Sequence, residues 1–388
     1  MPTDLGYNLR LRAAYCCRDR TVSLRTDEAP HDMQASTQAN TWNRKALLCS
    51  FETSRTQILL PALVLLLDIA FFTAGTAIVL LADSLLLKLL GTLVVTFAIV
   101  RLFLVGHDAC HGSFFSSARL NAICGRIAFL PSMTAFSLWD VGHNVAHHGF
   151  NNLKGRDQVW APMSKAEYDA ASGFRRLRER FYRSGLGYGA YYFYELWWKK
   201  LYFASHREIG SSRRKYALDS LLVTAGALLW LGGVAFAARA TDQSFALLYA
   251  LAAVVPFLLW NATIGFVVYL QHTSPSIAWF LNRHEWQRNK AYLTATARVR
   301  FPLGIDRLMH GIMEHNAHHV NPGIPMSRLR AAQRVLQQKF PDLCDYRLDW
   351  RSYMDNVRRC KLYDFANHAW LDFSGQVTAR VPTAVAAN

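Results

Sequence analysis

Leu85 to His111 reads LLLKLLGTLVVTFAIVRLFLVGHDACH, an apolar run that passes directly into a Gly-His-Asp-Ala-Cys-His segment. Crossing a bilayer takes about 20 residues at about 1.5 Å rise each, and residues 85–105 meet that length with only Lys88 and Arg101 charged. Three further stretches read the same way, 57–82, 217–238 and 245–271. Asp83–Ser84 joins the first pair and Arg239–Ser244 the second. Core helices of soluble proteins rarely stay apolar for so long. Apolar residues make up 52% of the 388-residue chain and charged residues 18%, against about 25% in ordinary soluble domains. This segregated pattern excludes disorder, collagen and coiled coil.

The formal net charge of +16 suits nucleic acid or an anionic membrane surface. Its distribution decides for the membrane. Lys and Arg number 8 in residues 1–56, 16 in 106–215 and 16 in 272–388, and are nearly missing from the spans and their short links. By the positive-inside rule both termini and the long middle segment face the cytoplasm. The expected fold is therefore an all-α, multi-pass integral membrane protein. Its four transmembrane helices form two hairpins under a cytoplasmic helical cap.

A fifth apolar stretch, Asn121–Leu138, carries Arg126 and is broken by Pro131. A full span there would separate residues 107–111 from 143–148 across the membrane, so the stretch is expected to dip and return or to lie in the interface. Tyr188–Phe203 has the aromatic and lysine content of an interfacial helix. The basic run Phe174–Arg180 is expected to meet anionic lipid headgroups, with no nucleic acid as partner. Residues 1–45 have weak periodicity and read as a mobile tail. The seven cysteines form no CxxC pair and read as reduced thiols.

Eight of the fourteen histidines fall in three short windows: His107-Asp-Ala-Cys-His111, His143-Asn-Val-Ala-His147-His148 and His315-Asn-Ala-His318-His319. Chance would place fewer than one there. On a helix, His at i and i+4 share a face and can reach one metal, whereas adjacent His147 and His148 diverge by about 100° and more easily serve two neighbouring ions. Imidazole suits Fe, Zn, Cu and Ni. A structural zinc site takes three or four ligands, so eight imply more than one ion. His107 follows a span directly, which sets the metals at the membrane surface. A metal transporter or sensor is the alternative of another class. Transporters place ligands near the bilayer midplane, however, and these spans hold no histidine before His272.

These windows resemble the three histidine boxes of the membrane fatty acid desaturase family. Gly106-His-Asp-Ala-Cys-His-Gly-Ser-Phe-Phe115 is similar to the first box, His143–His148 to the second, and His315-Asn-Ala-His-His-Val-Asn-Pro-Gly-Ile-Pro325 to the third. Tyr269-Leu-Gln-His272-Thr-Ser-Pro275 resembles a segment of the omega-6 (Δ12) acyl-lipid branch. The likeness covers about residues 46–335, expected as the desaturase domain, and leaves 336–388 as a cytoplasmic C-terminal segment. It implies a di-iron centre held by His107, His111, His143, His147, His148, His272, His315, His318 and His319. No catalytic residue is expected beyond these ligands. Two iron ions with O2 as co-substrate would introduce a cis double bond into an acyl chain, most simply one esterified in membrane lipid. Electrons would come from a separate ferredoxin or cytochrome b5-type donor, since no His-Pro-Gly-Gly run of a fused cytochrome is present. Val268 stands where the acyl-CoA branch carries a water-holding asparagine, which argues against that branch. A sibling di-iron oxygenase, an acyl or alkane hydroxylase or a carotenoid hydroxylase or ketolase, shares the boxes and is the nearest rival.

Metal-bound imidazoles usually give their second N–H to a carboxylate or carbonyl. Asp108, Asp140, Asp157, Asp306 and Glu314 lie near the boxes, and Asp108 and Glu314 are the preferred partners. His310 is left outside the ligand set. Asp68 lies roughly 18 Å deep in the first span by helix rise, where an ionisable group is costly. Arg101 lies nearer the surface, so a neutral Asp68 hydrogen-bonded between helices is expected over a direct Asp68–Arg101 pair.

Overall fold

Four helices are long and apolar enough to cross a membrane: α1 (Leu59–Leu81), α2 (Leu85–Cys110), Tyr216–Ala240 within a longer helix from Arg213, and Phe245–His272. They fall where the hydropathy places them, with one difference of substance. The second helix runs on through His107 to Cys110, because its last turns are buried from Ala98 to Ala109 and continue as core. The computed structural model describes residues 51, 58–157, 159–204 and 213–383. The expected tail over 1–45 lies outside them.

α1 and α2 are joined by three residues and pack along each other. Gly75 and Gly91 make this possible: a Cβ on Gly91 would lie 2.9 Å from the Gly75 carbonyl oxygen, so the two backbones nearly touch. Small residues at such crossings are the usual device where lipid removes the hydrophobic drive to pack. α1 and Tyr216–Ala240 are mostly exposed, α2 mostly buried. Leu59, Leu63, Leu66, Leu81, Leu85 and Leu93 of the first pair all stand open. Such a surface belongs in an apolar phase.

Asp68 is fully buried and is not a lone hydrogen-bonded acid. Arg101 Nε lies 2.5 Å from Asp68 Oδ1, and His310 Nε2 lies 2.8 Å from Asp68 Oδ2. The expectation of no direct pair is corrected by side-chain reach. Across the link the two residues differ in height by only about a turn, which a long arginine side chain covers. Arg101 Nη1 also donates to the Leu308 carbonyl at 2.6 Å, tying the loop before His315 to both helices.

The fifth apolar stretch folds as α3 (Ala118–Phe129) and a 3-10 turn at Leu130–Ser132, followed after a sharp bend by α4 (Phe136–Phe150). The two arms meet at 98°. Met133, in the left-handed region at φ 51°, makes the corner. Arg126 is no obstacle to burial, since its guanidinium meets Asp219 at 2.7 Å, and Asp219 also accepts the Ser137 N–H at 2.9 Å. The ends of α2 and α4 lie beside each other, with the His107 and His143 rings 4.9 Å apart.

Further along come α5 (Gly173–Tyr182), α6 (Tyr188–Tyr191) continuing as a π-helix over Tyr192–Tyr202, α7 (Arg213–Ala240), α8 (Phe245–His272), α9 (His315–Val320), α10 (Met326–Lys339) and α11 (Trp350–Arg359). The all-α expectation needs correction, for two small sheets are present. β1 (Arg298–Arg300) pairs in parallel with β2 (Asp345–Arg347). β3 (Leu362–Asp364), β4 (Ala369–Leu371) and β5 (Val377–Arg380) form an antiparallel meander. Local chemistry explains the meander. The Asp364 carboxylate accepts the Ala366 and Asn367 N–H groups to make one turn, and Asp372 accepts those of Ser374 and Gln376 to make the next. Buried Trp370 fixes the sheet to the rest by donating to the Ile277 carbonyl at 3.2 Å.

Candidate metal centre

All nine histidines singled out in the sequence come together, in two groups. His107, His111, His143, His148 and His318 form one, and His147, His272, His315 and His319 the other, with the potential ligand nitrogens of each group within 4.8 Å of one another. The local backbone explains the division. In α2, His107 and His111 stand one α-turn apart with ring centroids at 4.6 Å. In α9, His315 and His319 do the same at 4.5 Å, which turns His318 to the other group.

The second box departs from α-helical spacing. Asp140–His147 is π-helical, a form in which i and i+5 share a face and which recurs at functional sites. His143 and His148 therefore meet, their Nε2 atoms 3.0 Å apart, while His147 turns to His272 and His319. His148 and His319 stack at 4.3 Å between the groups.

The chemistry of the donors fits metal. The buried Nε2 atoms of His107, His111, His318 and His319 have no hydrogen-bond partner, an arrangement that is costly unless an ion satisfies them. Burial, reinforced by the neighbouring imidazoles, holds His111, His143, His148, His315, His318 and His319 well below the ordinary histidine pKa. That shift favours the neutral form, the one that binds metal. His272 and His315 approach Nε2 to Nε2 at 2.9 Å. Two nitrogens bound at right angles to one ion at ~2.1 Å each would lie about 3 Å apart.

Outer hydrogen bonds orient three of the rings. His107 Nδ1 lies 2.9 Å from Asp108, His147 Nδ1 3.1 Å from both oxygens of Asp157, and His272 Nδ1 3.2 Å from Asn152 Oδ1. Such contacts set the tautomer and aim the other nitrogen inward. Glu314, preferred from the sequence, instead faces Arg298 at 2.7 Å and Arg330 at 3.4 Å. A buried carboxylate takes cations before neutral imidazoles. Its pKa is nevertheless raised, because burial outweighs both arginines. Asp140 bonds Asn144 at 2.6 Å, and Asp306 lies 3.9 Å from Arg330. His310 is committed to Asp68.

Two contributors escaped the sequence reading. Asn152, in the left-handed region at φ 56°, joins the His147 and His272 supports by donating its own N–H to Asp157 at 2.9 Å. Trp139 stacks on His143 at 4.0 Å and also touches His107 and His111. Its position one α-turn before His143 is the only sequence signal for it.

Nine histidines gathered in two groups, six of them buried, beside helices long and apolar enough to cross a membrane define a class: membrane proteins with a histidine-rich candidate metal centre. Comparison with known proteins narrows it. The model of the family described as fatty acid desaturase matches residues 83–350. The chain belongs to the fatty acid desaturase family, and is an oxidoreductase of fatty acid metabolism. It is 28% identical over 280 residues to an sn-1 oleoyl-lipid 12-desaturase of Picosynechococcus sp., covering 70% of this chain and 75% of that one. It is 26% identical over 271 residues to a chloroplastic omega-6 fatty acid desaturase of Spinacia oleracea, covering 69% of this chain and 57% of the relative. An sn-1 acyl-lipid omega-3 desaturase (ferredoxin) of Synechocystis sp. is 26% identical over 264 residues, covering 67% of this chain and 70% of that one. The first two names match the branch that the His272 segment resembles.

Proposed function

We propose that this protein introduces a cis double bond into an acyl chain esterified in membrane lipid, using O2 at two irons held by the nine histidines. The observation that carries the reading is the division of nine histidines into two groups, each with its potential ligand nitrogens within 4.8 Å of one another. Two irons bound there would supply the O2 activation that removes hydrogen from two adjacent methylenes, with two external electrons and two protons completing two waters. The chain's own residues do the rest. The imidazoles offer ring-nitrogen lone pairs to the ions. Asp108, Asp157 and Asn152 aim His107, His147 and His272. Trp139 holds the His143 ring from behind, and burial keeps bulk water away.

The names of the relatives favour a lipid-linked substrate and, in one case, ferredoxin as donor. A ferredoxin or a cytochrome b5-type protein would deliver the electrons from the cytoplasmic side, the side that the positive-inside rule favours for the basic segments.

The test is fatty acid analysis, by gas chromatography–mass spectrometry, of cells expressing the chain beside His147→Ala and His315→Ala controls. A cyanobacterial or yeast host supplies the reductant. A new dienoic acid that vanishes in both controls, while they still insert in the membrane, supports the reading and locates the bond. A hydroxylated acid would move the protein to the sibling oxygenases. Full activity of His315→Ala would remove the third box from the site. Metal binding without NAD(P)H-linked O2 uptake would favour a transporter or sensor.

A further inference from the structure

α5 carries a feature that the metal site does not use. Phe174, Leu177 and Phe181 stand exposed on it, as does Leu186 just beyond its end, with exposures of 74%, 66%, 48% and 84%. At about 100° per residue the first three fall within about 60° of the helix surface. This stripe points away from Tyr182, which is buried and binds Glu195 through its hydroxyl at 3.2 Å. Arg175, Arg176, Arg178 and Arg180 accompany it, against a single acid, Glu179, in the same helix.

Contacts tie this helix to the membrane-spanning part of the chain. Arg178 sits 5.5 Å over the ring of Tyr194 and 3.7 Å from Glu195. Next to these residues, Phe193 and Trp197 pack on Phe257, within the span α8. The π-helix Tyr192–Tyr202 thus lies against a membrane-spanning helix, and α5 lies against the π-helix. Tyr194 and Trp198 of that π-helix, and Phe203 just after it, are themselves open, so both helices present exposed apolar or aromatic side chains.

We propose that α5 is an in-plane membrane helix, with Phe174, Leu177 and Phe181 dipping into the acyl boundary and its exposed arginines binding anionic headgroups. An exposed apolar stripe with arginine beside it is the composition of helices that lie in a bilayer interface. Attachment to the span α8 through the π-helix selects a bilayer as occupant over a second copy of the chain or an acidic protein. The proposal rests on the reading of the chain as membrane-embedded, and not on its chemistry.

The test uses the full chain in lipid nanodiscs, with Leu177 replaced by a genetically encoded environment-sensitive fluorescent amino acid. The same amino acid at exposed Gln338, on α10, is the control. The expected result at 177 is emission blue-shifted relative to 338 and largely quenched by lipids carrying a nitroxide near the headgroup. Phosphatidylglycerol in phosphatidylcholine discs should increase that quenching, and Arg175→Gln with Arg176→Gln should abolish the increase. Water-like, unquenched emission at 177 would overturn the proposal. So would blue-shifted emission that no nitroxide lipid quenches, which would mark a protein partner on this face. Neither readout depends on metal or turnover, so a failure here is separate from a failure of the desaturation reading.

Discussion

Gly106 immediately precedes His107, and the space it leaves is filled by an aromatic ring. A Cβ added there would lie 2.4 Å from Phe129 Cδ1 and 2.5 Å from Cε1, against 3.4–4 Å for ordinary contact. Phe129 is fully buried, with Phe103 at 5.3 Å, Trp139 at 5.5 Å and Phe136 at 6.1 Å, so the ring has nowhere open to go. Gly106→Ala must therefore move Phe129 or the end of α2 by about 1 Å, an overpacking that costs about 1–3 kcal/mol. Either movement reaches the metal centre. One pushes Trp139 against His143, and the other displaces His107 itself. A misplacement of about 1 Å at a reacting centre is worth about 100-fold in rate. Product yield should thus fall on the order of 100-fold while the chain remains folded, as judged by fatty acid analysis and by the thermal midpoint of the purified protein. Phe129→Leu in the same chain should restore part of both, because it removes the clashing ring edge. Wild-type yield and midpoint in Gly106→Ala would refute the argument. A double variant no better than Gly106→Ala would show that Phe129 is not the obstacle.

Two further outcomes follow from buried charge. Asp157→Ala removes the acceptor behind His147 Nδ1 and should weaken iron binding by about 10–100-fold, measured by competition with a chelator. Asp157→Asn, which keeps an acceptor, should lose less, and equal affinity in all three proteins would remove Asp157 from the site. Asp68→Ala strands Arg101 and His310 without their carboxylate and should destabilise the fold by about 3–5 kcal/mol. Asp68→Asn should cost less, read as the midpoint of unfolding in detergent. A midpoint unchanged in the alanine variant would mean that the Asp68–Arg101–His310 cluster contributes nothing.

The spans were legible in the sequence because a bilayer imposes a length and a composition that no packing detail can change. The membership of the metal centre was equally legible. Histidine is rare, and eight of fourteen in three short windows need no coordinates to be noticed. That the adjacent His147 and His148 turn to different groups also followed from helical geometry. What failed in the sequence reading was of another kind. Asp68 and Arg101 were judged by depth alone, although a long side chain covers the difference in height. Glu314 was chosen for its nearness to a box, but the strands and helix α10 bring Arg298 and Arg330 to it from elsewhere in the chain. The short strands near the C-terminus, three or four residues each, were too brief to show a period.

By itself, then, the sequence showed that this chain carries four stretches apolar enough to cross a membrane, which nine histidines are the candidate ligands, and which family it joins. Those properties reside in local composition and spacing. Only the tertiary structure decided how the nine divide between two groups, since that depends on a π-helical turn at Asp140–His147 which an α-helical reading cannot anticipate. It alone also decided that Asp157 and Asn152, and not Glu314, stand behind the ligands, and that Phe129 fills the space beside Gly106. These contacts lie beyond the reach of helical spacing, from the 10 residues between His147 and Asp157 to the 120 between Asn152 and His272, and no local pattern carries them.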